Sequence, residues 1–226
     1  MPDQLGARLR EARLKRGLSL RSVAGALGVS ASLISQVEIG KTQPSVSTLY
    51  ALASHLGVSL DELLGIASPS AQPAPLFGHH GAALPDVQRG DANPIIEMEN
   101  GVRWERLAAG AGGPADSLLV TYAPGASSSI EGKLMRHAGI EYAYLLEGEL
   151  TLHLDFETYT LRPGDSLQFD SVRPHLYSNQ SGAVAKGIWF VVGRRAHNQG
   201  MADAPGGELA AGSPASAVDV LRSLDD

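Results

Sequence analysis

The sequence predicts an α+β chain in two parts, with five short helices first and an antiparallel β-structure behind them. Three observations carry this. Apolar residues recur at helical spacing up to about Leu64. From about Ile95 the pattern changes to the period of two that strands require. Between them, residues 65–94 hold five of the chain's 13 prolines among Ala, Gly and Ser, the composition of a semi-stiff linker. The expected division is a helical domain over 1–66, a linker over 67–94, a β domain over 95–198 and a flexible tail over 199–226. Val218, Leu221 and Leu224 suggest a helical turn or two within the tail.

In chain order, a first helix runs from about Gln4 to Arg16. Leu5, Leu9, Ala12 and the stem of Arg13 form its inner stripe, and Gly17 closes it. The next stretch, LRSVAGALGVSASLISQVEIGK over 20–41, reads as a helix-turn-helix. Ala24 is small where the second helix must come close, and Gly28 tolerates the positive φ of a tight turn. Val23, Leu27, Leu33, Ile34 and Val37 supply the seam. Ser19 and Ser30 are placed as N-caps, and Ser30 to Ile39 forms the recognition helix. Pro44-Ser45 opens a fourth helix with Val46, Leu49, Leu52, Ala53 and Leu56 at helical spacing. Ser59-Leu-Asp-Glu62 has the form of a capping box for a fifth.

Residues 5–64 resemble the five-helix DNA-binding domain of the lambda-repressor and Xre family. The resemblance is carried by Leu18-Ser19-Leu20, Ala24, Leu27-Gly28-Val29-Ser30, Ile34-Ser35-Gln36-Val37-Glu38, Gly40-Lys41, Pro44-Ser45, Leu49 and Leu56-Gly57-Val58. It implies a double-stranded DNA operator as partner. The recognition helix would lie in the major groove with Ser30, Ala31, Ser32, Ser35 and Gln36 at or near the base edges. Gln36 is the expected reader of adenine, and Arg21 and Lys41 the expected phosphate contacts. Two heads about 34 Å apart reach successive major grooves, so a homodimer is expected.

Charge agrees with this polarity. The net charge of −6 divides unevenly: residues 1–65 hold 7 Lys+Arg against 5 Asp+Glu, and the remainder 11 against 19. The mildly basic end suits nucleic acid, and the acidic remainder is repelled by it. The chain has no cysteine, which excludes disulfides and thiolate zinc sites. The start, MPDQLGARLREARLKRG, has no apolar core of signal-peptide type, and no apolar run approaches the ~20 residues of a membrane span. A bacterial cytoplasm is the expected location, with no membrane partner.

In the β part, 102–107, 117–122, 141–146, 150–154 and 188–192 read as strands of a sandwich or small barrel. Arg162-Pro163-Gly164-Asp165 is a type II turn signal. Tyr142, Tyr144 and Leu146 alternate with Ala143 and Leu145, so this strand is apolar on both faces. The barrel core is expected to cover one face; a second subunit or the β domain's own first strand would cover the other. His153 alternates outward, and His79-His80 in the linker reads as an exposed pair rather than a chelate.

Parity places Met135, His137 and Glu141 on one side of one strand, and Pro174-His175 brings a second histidine from elsewhere. Two histidines and a carboxylate match the facial-triad ligand set for Fe(II) or a similar ion. The alternative is a metal-free hydrogen-bonded cluster lining an effector pocket.

Residues 117–192 resemble a conserved-barrel cupin domain. The carrying residues are Met135-Arg136-His137, Glu141 and Gly148, then Pro163-Gly164-Asp165 and His175-x-x-x-Asn179. The resemblance implies an antiparallel barrel of jelly-roll type and metal ligands at His137, Glu141 and His175, for Fe, Mn, Ni or Zn. The family's first histidine is Met135 here, and a thioether suits those ions poorly. Met135, Arg136 and Arg173 are the further pocket candidates, the arginines for an anionic effector or else as ordinary surface residues. Together the two resemblances imply a regulator of transcription, not an enzyme, whose barrel dimerises and senses a small molecule. Two alternatives stand beside it. One is a non-haem iron oxygenase or epoxidase, whose family carries a stretch like His137-Ala-Gly-Ile-Glu141. The other is a barrel that only dimerises.

Overall fold

The computed structural model describes residues 3–66, 87–108, 115–130 and 132–193, and among them the chain forms five α-helices and nine strands. Of the proposed linker over 67–94, residues 67–86 with His79 and His80 lie outside the described residues, as do residues 194–226, which include the proposed tail over 199–226 with Val218, Leu221 and Leu224.

The helices are α1 (Asp3–Lys15), α2 (Leu20–Leu27), α3 (Ala31–Glu38), α4 (Val46–His55) and α5 (Leu60–Leu64). Their ends are set locally. Ser19, Ser30, Ser45 and Ser59 each accept a backbone N–H from three residues on, and Ser59 with Glu62 forms the reciprocal capping box. Gly28 ends α2 in the left-handed region at φ 65°. Leu9, Val23, Ile34, Leu49, Leu52, Leu56 and Leu63 are buried between the helices. One polar pair joins that core: Arg13 on α1 holds Glu38, the last residue of α3, through two charge-assisted hydrogen bonds of 2.6 and 2.7 Å. Among the described residues no single helix is long and apolar enough to cross a membrane.

The strands are β1 (Ile95–Glu97), β2 (Val102–Arg106), β3 (Ala115–Tyr122), β4 (Ile140–Glu147), β5 (Leu150–Leu154), β6 (Glu157–Leu161), β7 (Ser166–Asp170), β8 (His175–Ser178) and β9 (Ala185–Val192). They form an antiparallel sheet in the order β1-β2-β3-β9-β4-β7 and a second in the order β6-β5-β8. Strict alternation on β3, β4 and β9 turns Leu118, Val120, Ala143, Leu145, Trp189 and Val191 inward. Glu141 points inward with them. The predicted turn at Arg162 to Asp165 is present, with Gly164 at φ 95° and the Asp165 N–H donating to the Arg162 carbonyl. The predicted strands all form. β1, β6 and β7 lie outside the predicted strands and are defined by their pairing.

One expectation fails. The first strand, β1, lies at the edge beside β2, with three strands between it and β4, so it does not cover the outer face of the Glu141 strand. Ile140, Tyr142, Tyr144 and, from β9, Phe190 stay 39–47% exposed there.

The helical part packs directly on the barrel, and buried residues of the two form one continuous cluster. The Ser47 N–H at the start of α4 donates to the Ser128 carbonyl at 3.0 Å. Arg106 on β2 pairs with Asp61 on α5 at 2.8 Å. Gln88, just before β1, donates to the Arg106 carbonyl, fastening the chain's return to the sheet edge.

Candidate functional site

The recognition helix presents the residues the sequence pointed to. Ser30, Ser32, Gln36, Lys41 and Arg21 are exposed, and Ala31 and Ser35 are half-buried at the same end. Ile34, Val37 and Glu38 anchor the opposite face. The Thr42 hydroxyl donates to the Gln36 side-chain oxygen at 3.2 Å, and the Lys41 N–H donates to the Gln36 carbonyl. Gln36 is thereby held near the close of α3 through its side-chain oxygen.

The second cluster lies inside the barrel. His137, Glu141 and His175 are all buried, and their ligand atoms lie within 4.8 Å of one another. Glu141 comes from β4 and His175 from β8. His137 corrects the parity argument: it lies with Met135 on the segment ahead of β4, not on the strand. That segment is pinned across the barrel. Met135 and His175 exchange both backbone hydrogen bonds, and the His137 N–H donates to the Ser171 carbonyl. Tertiary pairing brings these residues to Glu141; strand alternation does not.

Proton positions follow from the backbone. His137 Nδ1–H donates to the Ala138 carbonyl at 3.2 Å, and His175 Nδ1–H to the Arg173 carbonyl at 2.8 Å. The tautomers are assigned from these bonds. Each Nε2 is then left facing Glu141 Oε1, at 2.8 and 3.1 Å, and neither buried Nε2 makes a hydrogen bond of acceptable geometry. Burial raises the Glu141 carboxyl's pKa; when the imidazoles are protonated, their Nε2–H groups and charge outweigh burial and hold the carboxyl below the usual range, and when they are neutral each Nε2 lone pair is free for a cation. The Tyr177 hydroxyl donates to the other oxygen, Oε2, at 2.9 Å. Two buried nitrogen lone pairs and an ionised carboxylate oxygen converging on one point are the donor set of a divalent cation, oriented by backbone carbonyls as metal-binding imidazoles usually are.

The other pocket candidates divide. Met135 is buried and lines the small void beside Glu141. Arg136 and Arg173 do not line the void beside Glu141 and lie at the surface, as the sequence's other reading had them, while Arg136 borders the larger cleft outside the barrel. Arg136 is exposed and donates to the Val172 carbonyl, and Arg173 is paired at the surface with Asp155. Asn179, the end of the second motif, holds a turn: its amide donates to the Tyr122 and Ala183 carbonyls. His153 is half-buried against the Thr158 hydroxyl.

Sequence reasoning missed Tyr50. This α4 residue lies over the barrel with its ring stacked on His137, centroids 4.4 Å apart and planes 15° apart, and tilted against Trp104 at 5.2 Å. Its signal, one aromatic residue on an apolar helix face, is that of any core residue.

Two families match the chain: residues 9–63 a helix-turn-helix family, HTH_3, and residues 118–191 a cupin domain family, Cupin_2. The chain is similar to the HTH-type transcriptional regulator PuuR of Escherichia coli, 29% identical over 189 residues that cover 80% of this chain and 90% of that protein. Among solved structures, an HTH_3 family transcriptional regulator from Vibrio cholerae superposes with TM-score 0.58 at 22% identity, covering 84% of this chain and 96% of that one. The hydroxypropylphosphonic acid epoxidase from S. wedmorenis covers 84% of this chain and 97% of its own at 20% identity. Its TM-score is 0.41, too low to speak to chemistry.

Proposed function

From a chain that joins an Xre-type helix-turn-helix domain to a C-terminal cupin domain, we propose a sequence-specific transcriptional regulator whose barrel senses a small molecule. The observation that carries this is the recognition face, with Ser30, Ser32, Gln36 and Lys41 exposed beside a helix whose opposite side, Ile34, Val37 and Glu38, is buried. The similarity to PuuR runs through both domains. In this reading the protein acts in the cytoplasm on duplex DNA. Gln36, Ser32, Ala31, Ser35 and Ser30 meet base edges, and Arg21 and Lys41 meet phosphates.

Such heads act in pairs. The face of Ile140, Tyr142, Tyr144 and Phe190 supplies the second-copy contact, because it is apolar, continuous across paired strands and exposed in the single chain. Tyr142 stands opposite Phe190 in that register.

Inside the barrel, His137, Glu141 and His175 hold a divalent cation, Fe, Mn, Ni or Zn. When bound, that ion supplies a Lewis-acid centre with open positions for a ligand's donor atom. Tyr177 and the carbonyls of Ala138 and Arg173 keep the three ligands oriented. An occupant shifts DNA binding only to the extent that it prefers one arrangement of the two domains.

Selection of duplexes from a random pool, followed by metal analysis of the untagged protein, tests the reading. Enrichment of one operator by the wild type, lost in Gln36→Ala, supports the regulator. Near-stoichiometric metal, absent from His137→Ala/His175→Ala, supports the sensing site. The oxygenase alternative uses the same triad; oxygen uptake with a phosphonate and no operator enrichment would replace the regulator with that enzyme.

A further inference from the structure

We propose that Tyr50, a residue of the DNA-binding domain, closes the barrel's binding site, and that any organic occupant of the His137–Glu141–His175 pocket must take the place of its ring. Ligand entry and docking of α4 on the barrel then exclude one another. The inference rests on the barrel being a ligand site, and it adds how that site is coupled to DNA binding.

The first argument is space. The void bounded by Tyr50, Trp104, Glu141 and Tyr177 is about 20 Å³. That holds about one water, or an ion. Of the triad only Glu141 lines this void, and at that size no organic molecule fits beside Glu141 with Tyr50 in place. Leu118, Val120, Tyr122, Trp189 and Val191 line it too, side chains of a packed barrel rather than a loose one.

The second argument is what Tyr50 is attached to. Val46 and Tyr50, one helical turn apart on α4, both line this void, so one face of a helix forms the lid. On the same helix Leu49, Leu52 and Ala53 belong to the helical domain's buried core. Because Val46 lies on the same face, opening the void along that whole wall moves the helix and not one side chain. α4 follows the recognition helix through residues 39–45, whose Lys41 and Thr42 bond to Gln36.

The third argument is a path. A cleft of about 400 Å³ runs between the helical domain at Leu27, Leu33 and Thr48 and the barrel at Ile130, Leu134 and Met135. Met135 borders both this cleft and the inner void. Met135 is the one lining side chain the cleft and the void share, and Tyr50 lies on the void's side of it. The chemistry of the space it would gain is that of a small, flat, mainly apolar body with one donor group turned toward His137 and Glu141.

The test uses the full chain with p-cresol, the tyrosine side chain as a free molecule. The two tryptophans, Trp104 and Trp189, both line the void, so intrinsic fluorescence reads this site. In Tyr50→Ala, p-cresol binds saturably. It binds about tenfold or more tighter than in the wild type, whose apparent affinity is reduced by the undocked fraction. Tyr50→Leu gives the same direction if Tyr50→Ala fails to fold, and Tyr50→Phe excludes the probe as the wild type does. In the wild type, p-cresol at high concentration speeds amide hydrogen exchange over 46–56. Equal p-cresol affinity in wild type and Tyr50→Ala, or unchanged exchange over 46–56 with the probe bound, overturns the proposal. Operator selection and metal analysis fail or succeed separately from these readouts, so loss of the regulator reading is distinguishable from loss of the lid.

Discussion

Arg106 on β2 and Asp61 on α5 form an ion pair of 2.8 Å across the two domains, with Arg106 2% exposed and Asp61 0% exposed. The rest of the guanidinium is satisfied as well. It donates to the carbonyls of Leu107, Ser117 and Ala115 and to the Ser117 hydroxyl. Removing one partner of a buried pair costs about 3–5 kcal/mol, because the other charge is left in a low-dielectric site. Asp61→Asn is expected at the lower end of that range, since Asp116 lies 3.9 Å from the same guanidinium. Urea unfolding of the full chain measures it, and a loss below about 1 kcal/mol would show that the pair is solvated.

Gly6 sits where α1 crosses α3. A Cβ there would stand 2.2 Å from the Val37 carbonyl oxygen and 2.8 Å from that of Glu38, and backbone cannot yield as a side chain can. Gly6→Ala is therefore expected to cost at least about 1–3 kcal/mol and to displace the recognition helix. The measurement is the thermal midpoint together with operator affinity. Gly17→Ala is a useful contrast, because its Cβ meets nothing within 4 Å and only its φ of 66° is strained.

On DNA, Gln36 and Arg21 should separate two kinds of contact. Gln36→Ala should cost about 1–3 kcal/mol at the selected operator and relax preference at one base pair. Arg21→Ala should weaken all sequences alike and reduce the slope of log affinity against log salt by about 1. Fluorescence anisotropy across a salt series distinguishes the two; an identical signature for both variants would remove Gln36 as a base reader.

Tyr142 and Phe190 are paired neighbours on the exposed sheet face. If two copies meet there, Tyr142→Glu/Phe190→Glu introduces like charges at the centre of the contact, and each lost aromatic anchor costs about 2 kcal/mol or more. Sedimentation equilibrium should find a dimer for the wild type and a monomer for the variant. A wild type that is monomeric at operator-binding concentrations would remove this interface.

Tyr122 and Tyr177 have raised pKa values, first because burial disfavours the phenolate and then because the Glu141 charge repels it. A phenol whose folded pKa exceeds its unfolded value contributes stability that is fully present below the unfolded pKa. That contribution falls as pH rises past it, since the unfolded state then binds fewer protons. Stability should therefore decline above roughly pH 10, and the decline should be smaller in Tyr122→Phe. Denaturation midpoints across that range check it, and a flat profile would mean that both phenols reach water.

Legibility followed the range of the interaction. The caps at Ser19, Ser30, Ser45 and Ser59 and the turns at Gly28 and Gly164 depend on neighbours within four residues, so spacing alone was enough to place them. The strongly alternating strands were readable for the same reason. β6, whose residues Glu157 to Thr160 are exposed, gave no such pattern.

The sequence by itself determined the two-part architecture, the recognition helix and the identity of the three candidate ligands, because those rest on periodicity, capping and motif spacing. The tertiary structure alone decided that His137 reaches Glu141 from outside the strand, through the pairing of Met135 with His175. It alone decided that Arg136 and Arg173 face water, and that Tyr50, Asp61 and Arg106 join the domains. Each of those contacts links residues far apart in the chain. Their partners are chosen by where two packed surfaces meet, and no local pattern encodes that position.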